Sequence, residues 1–316
     1  MKSIILFTIL LTAGLSSCKL FNLENGKTLG EQNSTYSYIP IDPLSVSDRP
    51  GRSCCKEPEG ILSGNSCDCT GNYKELLDAF PDQAVRLAMR QTNGNISGGF
   101  SPVAIAGKGE SYQVILDYIM ADVSRMPVRV SKYNSKKEEV SIYEKEESSE
   151  MYSYFIERMK DDSALMSKEK EKIKDGLLRS EILYIPVVIG VGLRVTANLI
   201  TREGKVELSG LSAISASAEA GELTGTLTVQ TLGITGIKVS AALPLPSELN
   251  QTTIQNAILS IGSIKALLDK ENDDLVIEPR VLGFYNPIGG GNLVNNKIIA
   301  AMAEDAIEWK RPCTPK

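Results

Sequence analysis

The stretch YIPVVIGVGLRVTANLIT (184–201) decides the fold class. It is rich in β-branched and small residues, which are typical of strands. Gly190 and Gly192 lie inside it, and glycine within a strand often marks a bulge or a close approach of another backbone. The sequence therefore predicts one long strand here, or two strands joined at the two glycines.

Further strand patterns lie on both sides of this stretch. The segment 223–231 alternates Leu, Gly, Leu and Val at odd positions with Thr, Thr, Thr and Gln at even positions. This period of two predicts a strand with one apolar and one hydroxyl-bearing face. The run 111–120 predicts a buried strand and 127–133 a half-exposed one. The segment SAISASAEA (212–220) fits a strand or a helix, since alanine is the best helix former.

Helical patterns are predicted in several other segments. A short helical face near Phe80 precedes a turn or helix over PDQAVRLAMRQ (81–91), because proline suits a first helical position. MYSYFIERM (151–159) predicts a short amphipathic helix. The strongest helix follows Ser247 as N-cap, with a broad stripe at Leu249, Thr253, Ile254, Ala257, Ile258, Ile261, Ile264 and Leu268. Gly262 inside it predicts close backbone packing or a break, and a last helix is predicted from Leu293 to about Trp309.

The order of these elements favours an α+β fold with a mostly antiparallel sheet, about four flanking helices and a strand-rich centre over 184–240. Residues 73–316 are predicted to form a single globular domain. The charge-rich segment 134–181 is interpreted as a solvated excursion from it, with a mobile arm or partner-binding helix as the alternative. No repeat of solenoid or propeller length is visible in the sequence.

The N-terminus, MKSIILFTILLTAGLSSCKL, has the layout of a secretory signal peptide. Lys2 precedes a short apolar run that ends in small residues, as a cleavable signal requires. That run is shorter than the roughly 20 residues that span a bilayer. Residues 1–17 are therefore predicted to be removed.

Leu15-Ser16-Ser17-Cys18 resembles the lipobox of bacterial lipoproteins. The resemblance covers only the first 18 residues. It implies that Cys18 becomes the acylated N-terminus of the mature chain and anchors it in membrane lipid, since two or more acyl chains make a stable anchor. Lys19 stands where an Asp in Gram-negative lipoproteins commonly signals inner-membrane retention, so the resemblance favours the outer membrane.

Residues 18–72 are predicted to be a lipid-anchored tether that ends in a cysteine-rich loop. The first part is rich in Gly, Pro, Asn and Ser without helical or strand periodicity. Such a segment can hold a folded domain away from the lipid surface. The alternative is an extended arm that lies on the domain.

The six cysteines of the chain are Cys18, Cys54, Cys55, Cys67, Cys69 and Cys313. Adjacent cysteines are poor joint metal ligands, and the spacing differs from the two to four intervening residues typical of zinc sites. An oxidising compartment favours two disulfides that join 54/55 to 67/69, with the pairing left open. Cys313 is then a free thiol or a bridge to the loop. Thiol redox chemistry at Cys67-Asp68-Cys69 is the alternative.

The chain has no histidine, which excludes His-based triads, His-ligated zinc and His general bases. No dinucleotide loop, P-loop or G-x-S-x-G elbow is present, so the sequence predicts no cofactor, no metal and no catalytic residue. The net charge of −5, which becomes −6 once Lys2 is removed, gives no footprint for nucleic acid.

These features predict a lipid-anchored envelope protein that acts as a non-enzymatic binding, assembly or scaffold module with a protein or glycan partner. One alternative is an oligomeric, membrane-active or channel-forming lipoprotein, suggested by the strand patterns in 205–233. The other is a hydrolase that uses carboxylates or a bound metal ion, for which no residue pair stands out.

Overall fold

The computed structural model describes residues 37–50, 76–77, 80, 82–92, 108–134, 139–140, 152–159, 181–202, 206, 208, 210–269, 274–289 and 291–311. The strands of this part are β1 (Tyr38–Pro50), β2 (Asp82–Gln91), β3 (Ser111–Asn134), β4 (Glu139–Val140), β5 (Tyr152–Arg158), β6 (Glu181–Thr201), β7 (Leu223–Leu232), β8 (Ile234–Thr235), β9 (Ser247–Glu248), β10 (Val276–Ile277), β11 (Arg280–Tyr285) and β12 (Ile307–Arg311). The helices are α1 (Leu211–Glu219), α2 (Ile237–Ala242), α3 (Gln251–Leu268) and α4 (Gly291–Ala303).

Ten of these strands form one sheet in the order β12-β1-β11-β6-β3-β2. Strands β4 and β5 also pair with β3, β7 also pairs with β6, and β9 pairs with β7, while β8 and β10 form a separate pair. Every pair is antiparallel except β1 with β12. The predicted mixed fold with a large, mostly antiparallel sheet and four helices is confirmed for the described residues.

The centre of the sheet is the long ladder between β3 and β6. It runs without a register shift from Ser111 opposite Ile200 to Val130 opposite Glu181. The stretch 184–201 is therefore one strand, not two, and the separately predicted strands 111–120 and 127–133 are parts of β3. A Cβ atom on Gly190 or Gly192 would overlap with backbone atoms of β3, so only glycine fits at both positions.

The sheet curls strongly, so that its two sides approach each other. Four strand spacings separate β1 from β2, which is about 19 Å in a flat sheet. Yet the guanidinium carbon of Arg86 on β2 lies 5.9 Å from the centre of the Tyr38 ring on β1. The concave face is therefore closed over by its own side chains.

Apolar side chains pack on both faces of this sheet. The larger cluster includes Val187, Ile189, Val191, Leu193 and Val195 of β6, together with buried residues of α3 and α4. A smaller cluster on the other face contains Tyr38, Ile115, Ile119, Leu282 and Tyr285, among others. Strand β7 shows the predicted alternation, because Leu223, Leu227 and Val229 are buried whereas Thr226 and Gln230 are exposed.

Two helix predictions were wrong. Residues 82–91 form β2, which pairs along its whole length with β3, and residues 152–158 form β5, which pairs with the far half of β3. Both segments contain good helix formers, but long ladders with a distant strand override local propensity. The described parts of the predicted charged excursion, β4 and β5, thus belong to the sheet. The open choice at 212–220 is settled as helix α1.

The predicted boundaries of the two long helices also need correction. The N-cap of α3 is Asn250, whose side chain accepts from Thr253 N, whereas Ser247 belongs to β9. Ile258 is half exposed rather than inward, and α3 runs unbroken through Gly262, which packs against nothing. Helix α4 ends at Ala303, and Trp309 lies in β12.

The predicted tether also contains part of the sheet. Of residues 18–72, the segment Tyr38–Pro50 is strand β1, which lies between β11 and β12. Its pairing partners come from the far end of the chain, which is why no local pattern reveals it. The sheet therefore includes a strand that lies well before the predicted start of the domain at residue 73.

Candidate functional site

Three charged side chains lie side by side on the concave face of the sheet. Arg86 of β2 is directly opposite Asp117 of β3, which is directly opposite Arg194 of β6. Directly opposite residues of neighbouring strands project on the same face. Their exposed fractions are 4%, 0% and 3%, so the row places one carboxylate between two guanidinium groups away from solvent.

Asp117 and Arg194 form a bidentate ion pair. Arg194 Nε donates to Asp117 Oδ1 at 2.6 Å, and Nη2 donates to Oδ2 at 2.7 Å. Nη1 of this guanidinium also donates to the backbone carbonyl of Ile41 at 2.6 Å, and Nη2 donates to that of Leu282 at 3.0 Å. A buried ion pair is stable only when such further hydrogen bonds satisfy the groups that burial removes from water.

Two tyrosines complete the arrangement. The Tyr38 hydroxyl donates to Asp117 Oδ2 at 2.6 Å and lies 3.2 Å from the Leu282 carbonyl. Its ring passes over Gly283, where any Cβ atom would overlap with it. Arg86 Nε donates to the Tyr285 hydroxyl at 3.2 Å, and the two tyrosine ring centres are 5.9 Å apart. We call Tyr38, Arg86, Asp117, Arg194 and Tyr285 the Asp117 cluster.

Burial and the Asp117 charge control protonation within this cluster. Burial, and then the neighbouring Asp117 carboxylate, raise the pKa of the Tyr38 hydroxyl well above its ordinary value. Burial alone would lower the pKa of Arg194, but the hydrogen bonds and charge of Asp117 outweigh it and raise that pKa. Tyr38 is therefore a neutral donor and Arg194 a permanent cation under ordinary conditions.

The geometry of the Asp117 cluster suits cohesion rather than catalysis. The Asp117 side chain is 0% exposed, and both of its oxygens bind Arg194 while one also binds Tyr38. A catalytic carboxylate must reach a substrate, and this one contacts only its own chain. The cluster joins β1, β2, β3, β6 and β11 through polar contacts across the curled sheet.

A second feature lies on the helices and is nearly free of charge. Between Leu223 and Ile264 the only charged residues are Lys238 and Glu248. Several of the most exposed large apolar side chains of the described residues lie on α2, on α3 and in the loop between them; they are Ile237 at 80%, Leu245 at 85%, Ile258 at 50% and Leu259 at 67%. We call these four residues the α2–α3 surface.

A third feature is a polar row on the sheet, whose three uncharged members are flanked by Arg90 of β2 and Glu248 of β9. Gln113, Asn198 and Thr226 are direct neighbours on β3, β6 and β7, and Gln113 Nε2 donates to Asn198 Oδ1 at 3.2 Å. Thr196 and Thr228 form the next row on the same face. Amide and hydroxyl groups of this kind can donate and accept hydrogen bonds without a charge.

The site residues predicted from the sequence lie outside the described residues. This applies to Cys18, Cys54, Cys55, Cys67, Cys69 and Cys313. Within the described ranges, no three acidic or cysteine side chains come close enough together to share a metal ion. The helices described above include none that is both long and apolar enough to span a membrane.

Sequence reasoning missed the Asp117 cluster, although part of its signal was present. Asp117 lies within VILDYIM and Arg194 within GVGLRV, and a lone charge in a strand predicted to be buried indicates a partner nearby. Arg86 lay in a predicted helix and Tyr38 in the predicted tether, so their positions beside Asp117 were not accessible to sequence reasoning.

Comparison of the chain with protein-family models, with curated proteins and with solved structures finds no match.

Proposed function

We propose that this protein is a lipid-anchored envelope module that binds a macromolecular partner and has no catalytic activity. The observation that carries the proposal is the α2–α3 surface, where large apolar side chains are exposed in a stretch nearly free of charge. Exposed apolar groups that cluster on one part of a protein are typical of interaction sites. The lipobox resemblance at Leu15–Cys18 supplies the location.

The side chains of the α2–α3 surface leave a large apolar area in contact with water. Burying apolar surface gains about 25 cal/mol per Å². The exposed two-thirds of a leucine side chain gains this free energy only when a partner covers it. Leu259 is such a residue at 67% exposure, and Leu245 and Ile237 are more exposed still. Membrane lipid bound through acylated Cys18, and a protein partner on the α2–α3 surface, are the two contacts that this function requires.

The proposal is tested in cells with two changes to the full chain. Cys18→Ala should abolish incorporation of a labelled fatty acid and release the protein from the outer-membrane fraction. A photo-reactive amino acid at position 259 should yield a cross-linked adduct, whereas the same probe at Arg125, an exposed residue of β3, should not. The proposal would be contradicted if position 259 gave no adduct and the purified chain showed hydrolase activity.

A glycan is a second candidate partner, favoured by the row of Gln113, Asn198 and Thr226. Neutral sugars present hydroxyl groups to amides and hydroxyls, and the three central side chains of this row supply both between the flanking Arg90 and Glu248. Binding of neutral envelope glycans should fall when Asn198→Ala is introduced. Equal binding by the variant would exclude this face.

For the cysteines outside the described part, we propose two disulfides between Cys54/Cys55 and Cys67/Cys69 in an oxidising compartment. A non-reducing peptide mass map of the mature chain tests this and places Cys313. A loop peptide that stays reduced in protein isolated without reductant would argue against the bridges.

The other functions drawn from the sequence have weaker support. The channel-forming alternative depended on strands in 205–233, and Leu211–Glu219 of that stretch is a helix. A carboxylate-dependent hydrolase needs acidic side chains that reach a substrate. Asp117, the buried carboxylate of the described sheet, is enclosed by its own chain.

A further inference from the structure

One face of α3 carries a regular series of exposed residues. They are Thr252, Gln255, Leu259, Gly262 and Ala266, followed by Asp269 directly after the helix, and all are solvent-exposed. Their spacing alternates between three and four positions, which is the spacing along which one helix contacts another. The opposite side of α3, with Ile254, Ile261 and Ile264, packs into the core. We call the exposed series the α3 seam.

Side-chain size changes along this seam. Gln255 and Leu259 in its first half are large, whereas Gly262 and Ala266 in its second half are small. Two copies of such a helix fit together only when they run antiparallel. The large residues of each copy then lie over the small residues of the other, and in a parallel pair large would meet large.

We propose that α3 pairs with α3 of a second copy of this chain, antiparallel, about a twofold axis between Leu259 and Gly262. Leu259 then packs over the partner's Gly262, and Gln255 over the partner's Ala266. A twofold interface is self-complementary in this reciprocal way. The inference rests on the proposed binding function and deepens it by naming the partner.

Gly262 is the position that this pairing explains. Glycine is a poor helix former, and α3 continues through it. A Cβ atom added there would meet nothing within 4 Å, so no contact of its own chain requires glycine. A leucine from a neighbouring helix requires the space that glycine leaves, because it allows close approach to the backbone.

Charge also favours a second copy on this face. The chain has a net charge of −5, so two copies repel each other in general. From Thr252 to Ala266 the seam itself carries no charge, and in the antiparallel pair the Thr252 hydroxyl lies opposite the partner's Asp269 carboxylate. The seam is therefore a face on which two copies can meet without electrostatic cost.

The proposed contact is suited to two copies that are anchored in the same membrane. A standard protein interface buries about 800 Å² on each partner, and a single helix face provides less. Such a dimer is weak in solution. Anchoring both copies in one membrane raises their effective concentration, which makes a weak contact sufficient.

The experiment places the lipidated full chain in lipid vesicles and measures self-association by energy transfer between labelled copies. Gly262→Leu places leucine against the partner's Leu259, and Leu259→Ala removes the side chain that fills the gap. Each variant should weaken self-association at least about tenfold. A mixture of the two variants should associate like the unmodified chain. In the mixed pair, Leu259 of the first variant lies over Gly262 of the second, and the introduced leucine lies over the side chain that the second variant has shortened.

The matched control is Leu293→Ala, which truncates a half-exposed leucine of α4, outside both the seam and the α2–α3 surface, and should leave association unchanged. A photo-reactive amino acid at Gln255 in the native membrane should give an adduct of twice the chain mass. An adduct with a different protein overturns the second-copy inference but leaves the proposed function. A monomer with no adduct overturns both. A dimer that the single variants do not weaken places the interface elsewhere and overturns the inference.

Discussion

The Asp117 cluster and the α2–α3 surface distribute polarity in opposite ways. The first buries three charged side chains inside a curled sheet, and the second exposes large apolar side chains in a stretch with almost no charge. Most globular proteins do the reverse. The difference indicates that the buried charges hold the chain's own strands together, whereas the exposed apolar groups are available to another molecule.

The largest effect is expected from breaking the buried ion pair. Asp117→Asn keeps the shape of the side chain but leaves Arg86 and Arg194 without a negative charge between them. Removing one partner of a buried pair typically costs about 3–5 kcal/mol. The free energy of unfolding should fall by that amount in a urea titration. The double variant Asp117→Leu with Arg194→Met should lose less, and a loss below about 1 kcal/mol for Asp117→Asn would show that the pair is not essential.

A smaller loss should follow from filling the space between β3 and β6. Gly192→Ala forces a Cβ atom onto the backbone of β3 near Tyr118, and overpacking typically costs about 1–3 kcal/mol. Gly262→Ala is the control, because within a single chain its position is open and helical, so the change should stabilise the monomer by about 1 kcal/mol. Both are measured as shifts of the urea midpoint. If neither substitution lowered the urea midpoint, the backbone of β3 would be able to move away from β6 and make room for the added Cβ atom.

Tyr38→Phe should cost about 1–2 kcal/mol, since it removes the hydroxyl that binds Asp117 and leaves the ring over Gly283. It should also change the response to alkaline pH. The folded pKa of Tyr38 lies above its unfolded value, so the related stability is complete below about pH 10 and is lost as the pH rises towards the folded pKa.

The same sign applies to Tyr118, because burial raises its pKa to about 12. Urea midpoints between pH 8 and pH 12 should therefore fall above pH 10 in the unmodified chain, and less steeply in Tyr38→Phe. Tyr184→Phe, at an exposed residue of β6, serves as the control. An identical alkaline decline in Tyr38→Phe would exclude the buried hydroxyl as its source.

The smallest effect concerns the start of α3. Asn250→Ala removes the side chain that accepts from Thr253 N at 3.0 Å and should cost about 1 kcal/mol. Ser247→Ala tests the cap predicted from the sequence and should leave the urea midpoint unchanged. A larger loss of stability in Ser247→Ala than in Asn250→Ala would indicate that Ser247 caps the helix.

The sequence predicted strands where the pattern was local and continuous. The stretch 184–201 and the alternation in 223–231 define β6 and β7 because burial on one or both faces is visible within each segment. The apolar stripe of α3 was equally visible, except at Ile258. In each of these segments, the residues of one face share the same buried environment, so the apolar pattern is visible in the sequence.

Prediction from the sequence failed where a segment pairs with a strand that is far away in the chain. Segment 82–91 contains helix-forming residues, yet its ladder with β3 makes it a strand. Residues 307–309 were assigned to the predicted last helix, but they belong to β12, which pairs in parallel with β1 of the predicted tether. The Asp117 cluster combines these two difficulties, since it joins side chains from segments that were assigned to a tether, a helix and two strands.

The position of β1 also has a consequence for the time at which the sheet forms. The Tyr38 hydroxyl and the Leu282 carbonyl are 244 positions apart in the chain, and the strands that pair with β1 are the last two of the described chain. Contacts at such separation form slowly, because a long loop must close before they can contribute. During synthesis or export, β1 emerges early and has no strand to join until residues 280–311 follow. A chain cut before Arg280 would leave the edge of β6 and all of β1 open to other strands.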